Sequence, residues 1–352
     1  MRKGRGIRGG NVQPLTRNGL FLKECQGLEP LNHLVSYGEN LTLGRGGSYL
    51  GEALDKSGIP RFSRSAMTIE PIGDYRAIWG EGPIWWQGKL IYVDIEGHQV
   101  IRFDPEIGAE ETWDVGQRVG TVVPREGGGL VIGGDTGFLF LDEISGKITQ
   151  ITDPEPDKKN NRINDGKCAP DGNFFAGTIS LVKNEGDARL YRLTPELEVS
   201  EAYGPVTNSN GIVWSAQGDI CYYIDTPTKK ILAYPFENET GEIGEPSMVV
   251  DTGKAGFAGS PDGMTIDAEG KLWVAMCHGG TVLRIDPLSG ELLHQVDFPC
   301  VETTACAFGG PNLERLFVTT GLHKTLDEPD AGKVFVVDGL GVSGVPSFAY
   351  GK

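Results

Sequence analysis

SPDGMTIDAEGKLWVAMCHGG, residues 260–280, decides the fold once it is set beside the rest of the chain. It reads as a Pro-Asp-Gly step, a short apolar strand, a polar turn carrying Gly270 and a second apolar strand, LWVAMC. Alone, that is a hairpin. The pattern recurs, however, as EGPIWWQGKLIYVD from Glu81, TVVPREGGGLVIGG from Thr121, NDGKCAPDGNFFAGT from Asn164, NGIVWSAQGDICYYID from Asn210 and TACAFGGPNLERLFVT from Thr304. A third apolar segment follows each copy: QVIRFD, FLFLD, RLYRLT, KILAYPF, TVLRID and KVFVVD. Successive first residues lie 40, 43, 46, 52 and 42 positions apart. A period of this size with several strands per unit predicts an all-β, six-bladed β-propeller with four-stranded antiparallel blades around a central channel. Two β-sandwiches would need a linker between halves, and the repeats run on without one. MTIEPIGDYRAIW, residues 67–79, precedes the first copy and is expected to supply the outer strand of the last blade, closing the ring.

The 352 residues are 39% hydrophobic and 23% charged, a globular composition, and 52 glycines and 21 prolines fit a chain of many turns. The net charge of −16 repels phosphate backbones, which argues against nucleic acid and for a neutral or cationic small molecule as partner. The six cysteines form no Cys-x-x-Cys pair, so buried, reduced thiols in a cytoplasmic protein are expected. No apolar run has the roughly 18 residues of a membrane span. Residues 1–66, rich in Gly, Arg, Asn and Ser, are expected to be a flexible or non-native extension, and 67–352 the folded propeller. GRGIRG, residues 4–9, follows no strand and fails as a dinucleotide site. Oligomeric state leaves no mark in the sequence.

In a propeller the first strand of each blade lines the channel, so the first residues of the repeats converge on one axis. Here they are Glu81, Thr121, Asn164, Asn210, Asp262 and Thr304. Four carry a carboxylate or carboxamide oxygen, hard donors suited to one divalent cation. Without a cation, Glu81 and Asp262 would repel each other. Asn164 brings Arg162 and Asp165 with it, and a guanidinium fork there suits substrate oxygens or a developing anion. Other machinery is missing: no His-x-x-x-His, no Gly-x-Ser-x-Gly and no Walker A loop. His278 follows the second strand of its blade, where it can line the site. The tryptophans are expected to pack between blades. Asp267 falls in a strand-connecting turn.

With WGEGPIWW, DKKNNRINDGKCAPDGNFFAGT, NSNGIVWS, YYIDT, PDGMTIDAEGKLWVA and TTACAFGG in this order, the chain from about Trp79 to Tyr350 resembles the senescence-marker-protein/gluconolactonase (regucalcin-like) family of six-bladed propellers. The resemblance implies a divalent metal, calcium or zinc above magnesium or manganese, held by Glu81, Asn210 and Asp262. It implies substrate contacts from Arg162 and Asn164, and from an acidic residue for which Glu185 is the nearest match. The activity it implies is hydrolysis of a sugar lactone to the aldonic acid, with the metal as Lewis acid and Asp262 as ligand and general base. The alternatives are an arylesterase or organophosphatase with a similar site, and a calcium-binding propeller without turnover.

Overall fold

The computed structural model describes residues 66–351, so the expected N-terminal extension lies outside the described residues except for its last position. The described chain is built of β-strands, with one short 3₁₀ turn, Thr226–Thr228, and no α-helix. Among these residues no helix is long and apolar enough to cross a membrane.

Six antiparallel sheets follow one another along the chain. Their inner strands are Gly80–Trp86, Val119–Pro124, Asn161–Cys168, Ser209–Trp214, Ser260–Ile266 and Thr303–Gly309. Each inner strand packs against the inner strand of the next blade, and the last packs against the first, so the blades form a ring around one axis. The sixth blade is closed by the start of the described chain. Thr68–Ile72 pairs antiparallel with Val334–Asp338, from Thr68 opposite Asp338 to Ile72 opposite Val334. This is the closure expected for residues 67–79. The fourth blade carries one addition, Glu242–Ile243, paired to the far end of Lys230–Glu237.

Burial explains why the strands read as near-continuous apolar runs rather than alternating ones. Both faces of each blade pack against a neighbour, and a sheet covered on both faces loses its polar side. Separate apolar clusters fill all six interfaces. Ile91, Val93, Val122 and Ile132 lie between the first two blades, and Leu90, Tyr92, Phe317 and Val336 lie between the sixth and the first. The tryptophans serve this packing as expected: Trp85 stacks on Phe317 across the closing interface at 5.3 Å. Asp267 keeps its structural role but is fully buried, accepting hydrogen bonds from Trp273 Nε1 at 3.0 Å and Arg284 Nε at 2.8 Å. The five described cysteines are unpaired buried thiols.

One irregularity repeats in every blade. The pairing of each inner strand with its neighbour slips between Glu81 and Ile84, Val119 and Thr121, Ile163 and Asp165, Asn210 and Ile212, Pro261 and Met264, and Thr303 and Ala305. These are β-bulges, which bend a strand and re-aim its side chains. All six fall at the repeat positions singled out from the sequence. Glycine beside the bulge lets neighbouring inner strands approach. A Cβ on Gly263 would lie 2.3 Å from Ala305 Cβ. Gly263→Ala is therefore expected to force the fifth and sixth blades apart and to cost about 1–3 kcal/mol, the usual range for overpacking. An unchanged urea midpoint would show that the ring absorbs the extra methyl.

The far end of the channel is covered by the C-terminal stretch. Val345, Pro346, Ser347 and Phe348 line one crevice with Ile84, Cys168 and Trp214, which lie at or near the ends of inner strands. Tyr350 is buried, with its N–H on Pro124 O at 2.9 Å and its hydroxyl on Thr194 O at 2.5 Å.

Candidate active site

The opposite end of the channel, where the inner strands begin, gathers the polar residues. Two aspartates at the ends of second strands set the height of the chain there. Asp94 accepts the N–H groups of Ile78, Trp79 and Gly97, at 2.8, 2.9 and 3.0 Å, which fixes the approach to Glu81. Asp225 accepts the N–H of Asn208 at 2.9 Å and so fixes the approach to Asn210.

Glu81, Arg162, Asn164, Asp165, Asn210 and Asp262 are all buried. Buried polar groups normally find partners, and this cluster is conspicuous for those that do not. Asn210 Nδ2 donates to Thr226 Oγ1 at 3.0 Å, and Thr226 Oγ1 in turn donates to Pro261 O at 2.9 Å. This chain fixes the amide, yet Asn210 Oδ1 has no hydrogen-bond partner. Asp262 Oδ1 has none either, nor does Arg162 Nε. The site thus presents two buried acceptors and one buried donor without protein partners.

The acids are held against their own charge. Burial and then the nearby Asp165 carboxylate push Asp262 up to about 8. Burial, followed by Asp262 and Asp165, raises Glu81 well above the carboxylate range. Burial also raises Asp165. On the other side, burial and then repulsion from Arg118 bring Arg162 down to about 10. Three buried carboxylates face one buried guanidinium, and the orphan oxygens belong to an aspartate and an amide. That donor set fits a hard divalent cation held by Glu81, Asn210 and Asp262: oxygen ligands, two of them anionic, in a place that already favours positive charge.

A pH signature follows. Carboxyls whose folded pKa is raised bind protons more tightly in the folded than in the unfolded state. Their contribution to stability is complete below the ordinary carboxylate pKa, about 4, and is lost as pH rises through the folded value, about 8 for Asp262. In chelator, melting temperature is expected to fall across that window. An added divalent cation should stabilise more at its upper end, where the proton no longer competes. A cation effect that does not grow with pH would separate the metal from these acids.

The remaining residues singled out from the sequence fall into different places. Asn164 Oδ1 accepts from Arg162 Nη1 at 2.8 Å, while its Nδ2 donates to Asn208 Oδ1 at 3.0 Å and to Ser209 O at 2.8 Å. Its polar atoms are thus engaged in holding Arg162. Thr121 and Thr304 face inward but tie blades together, through Gly166 O at 2.8 Å and Gly80 O at 2.6 Å. Glu185 is exposed. It lines a cleft of about 930 Å³ with Asn208, Asp225, Thr226, Ser260 and His278. Asn208 and Thr226 join that cleft to the buried ring, being hydrogen-bonded to Asn164 and Asn210.

Sequence reasoning passed over Glu302 and treated Asp165 only as a neighbour. Asp165 belongs to the acid cluster, and Glu302 is buried at the mouth against His278. A signal for Glu302 was present. Residues two before the ring positions sit just ahead of the same bulges, and this step is what joins Arg162 to Asn164. Applied to Thr304 it yields Glu302, and applied to Asn210 and Asp262 it yields Asn208 and Ser260, both on the cleft wall.

Comparisons with known proteins converge on one family. The family model described as SMP-30/gluconolactonase/LRE-like region matches residues 79–322. Regucalcin of Danio rerio is 40% identical over 295 residues, spanning 81% of this chain and 99% of that protein. Among solved structures, a luciferin-regenerating enzyme superposes with a TM-score of 0.76 at 30% identity, covering 81% of this chain and 99% of its own. A calcium-binding protein, regucalcin, from Agrobacterium tumefaciens gives 0.72 at 25% identity, covering 78% of this chain and 94% of its own. With the six-bladed ring and the matched segment both in view, the chain belongs to the SMP-30/gluconolactonase/LRE-like family.

Proposed function

We propose that this protein is a metal-dependent lactonase that opens a sugar lactone of the gluconolactone or pentonolactone type to the aldonic acid. The observation that carries the reading is the set of three buried atoms without protein partners, Asn210 Oδ1, Asp262 Oδ1 and Arg162 Nε, beside the Glu81 carboxylate. Two acceptors suit a cation, and one donor suits a substrate oxygen. The description of the family, which includes gluconolactonase, supports the choice of ester chemistry.

Glu81, Asn210 and Asp262 would hold a divalent ion, which would supply Lewis acidity at the lactone carbonyl. The chain does the rest. Asp262 has one oxygen for the ion and one to take a proton from the attacking water. Water adds at the carbonyl carbon, the ring C–O bond breaks, and the proton held by Asp262 passes to the departing ring oxygen. Arg162, fixed by Asn164, faces the substrate with a buried cationic donor. The cleft, about 930 Å³ and walled by Asn208, Thr226, Ser260 and Glu185, is of small-ligand size and offers hydrogen bonds to several hydroxyls.

A proton-release assay over a panel of aldonolactones tests this directly. Acid release is expected with at least one of them, its loss in chelator, and its return with one of Ca²⁺, Zn²⁺, Mg²⁺ or Mn²⁺. Turnover of aryl esters or phosphotriesters with none of the aldonolactones would move the assignment to another hydrolase. Cation binding without any turnover would leave a binding propeller.

A further inference from the structure

Beside the ring, at the mouth, a second cluster has a different chemical character. The backbones of Cys277 and Glu302 are bridged, which sets the end of the second strand of the fifth blade against the start of the sixth. Their side chains meet: Cys277 Sγ lies 3.4 Å from Glu302 Oε2. His278 completes the group. Its Nδ1 lies 2.9 Å from Glu302 Oε1 and 2.7 Å from Oε2, and its N–H also reaches Oε2 at 3.2 Å. His278 takes this position with a left-handed φ of 62°, a conformation that a non-glycine residue adopts at some cost. The three candidate ligand atoms, Sγ, Nδ1 and a carboxylate oxygen, lie within 4.8 Å of one another.

Glu302 is the centre of the group and is 2% exposed. A carboxylate so buried normally has a cationic partner. Among the described residues its ion-pair partners are two histidines, His278 and, at 3.8 Å, His323 Nε2, with no lysine or arginine. The thiol and the Nδ1 edge of the imidazole now meet the carboxylate in the space where one ion would sit.

We propose that Cys277, His278 and Glu302 form a second metal site, selective for a borderline transition ion of the zinc class. Sulfur, imidazole nitrogen and carboxylate are the ligand types of zinc, and three protein ligands leave a position open towards the cleft, which His278 lines. The set of Glu81, Asn210 and Asp262 is all oxygen, and the Cys277 side chain, which also reaches Asp262, marks the boundary between a hard site and a softer one. On binding, the ion expels the thiol proton to solvent and the imidazole proton moves to Nε2. His323 Nε2, 3.8 Å from Glu302 Oε1, adds a second imidazole near the carboxylate without a direct hydrogen bond to it. The proposal is independent of lactone turnover.

Titration of the metal-free full chain with Co²⁺ alone, followed by absorbance, tests it. Two equivalents are expected, one of them with the near-ultraviolet charge-transfer band of a cobalt–thiolate bond. Cys277→Ser should lose the band and one equivalent. His278→Ala, a change at an exposed side chain that leaves the fold intact, should weaken the band-forming equivalent by at least about tenfold, the scale on which a lost partner of a metal site is felt. Asp262→Asn should leave the band in place. A single equivalent without the band overturns the proposal. So does a band that survives Cys277→Ser, since another cysteine would then be the ligand. A band that vanishes in Asp262→Asn would assign the sulfur to the first site and leave no second one.

Discussion

Asp262→Ala is expected to abolish lactone hydrolysis, with a loss of at least about a thousandfold, or ~4 kcal/mol of transition-state stabilisation. The same carboxylate is asked to hold the ion and to move the proton, so its removal takes both contributions at once. The diagnostic part of the experiment lies elsewhere. In chelator, Asp262 is a buried acid forced upward by burial and by Asp165, so it opposes folding at neutral pH. Asp262→Asn keeps the shape and removes that conflict. It should therefore lose activity while melting at the same temperature as the parent or higher in chelator, and it should lose the stabilisation that a divalent cation gives the parent. A merely structural role predicts the opposite pairing, a fall in melting temperature with near-normal turnover, and that result would sink the assignment.

The second large effect concerns the ring. Deleting residues 66–72 removes a strand whose five residues pair with Val334–Asp338 and takes away Ile69 and Ile72, which pack on the clusters beside it. Several hydrogen bonds at about 1 kcal/mol each, with partial burial of two isoleucines at about 1.5–3 kcal/mol if fully covered, sum to on the order of 5 kcal/mol. That is a large share of the total stability of an ordinary protein, about 5–15 kcal/mol. It corresponds to a fall in melting temperature of roughly 10–20 °C for a domain of this size. The uncovered Val334–Asp338 edge would also offer its unpaired backbone to other chains. Soluble aggregates are expected before unfolding is complete. An unchanged melting curve would mean that the ring is held by its blade interfaces and not by this strand.

Architecture was legible because repetition survives in the sequence even where single strands are ambiguous. Aligning six copies placed Glu81, Asn164, Asn210 and Asp262 on one ring, and the structure buries all four there. The bulges were not legible. A register slip shows in sequence only where one strand face is polar, and Ser209–Trp214 and Thr303–Gly309 are buried at every position. Glu302 was missed because it stands before the apolar segment that defined its repeat. The engagement of Asn164 with Arg162, Asn208 and Ser209 was beyond sequence as well, since it depends on which neighbour each side of an amide meets.

The repeated bulge has a consequence for how such a protein changes over time. Because every blade presents a residue to the axis through the same local distortion, chemistry at the axis is set by six interchangeable seats rather than by six separate loops. Thr121 and Thr304 occupy two of those seats and spend their hydroxyls on bonds between blades. Exchanging either for an acid adds a donor to the axis for the loss of one hydrogen bond at Thr121 or two at Thr304, with the backbone already in place. Ligand number and charge at the mouth can thus evolve by single substitutions, while the apolar clusters between the blades keep the ring together.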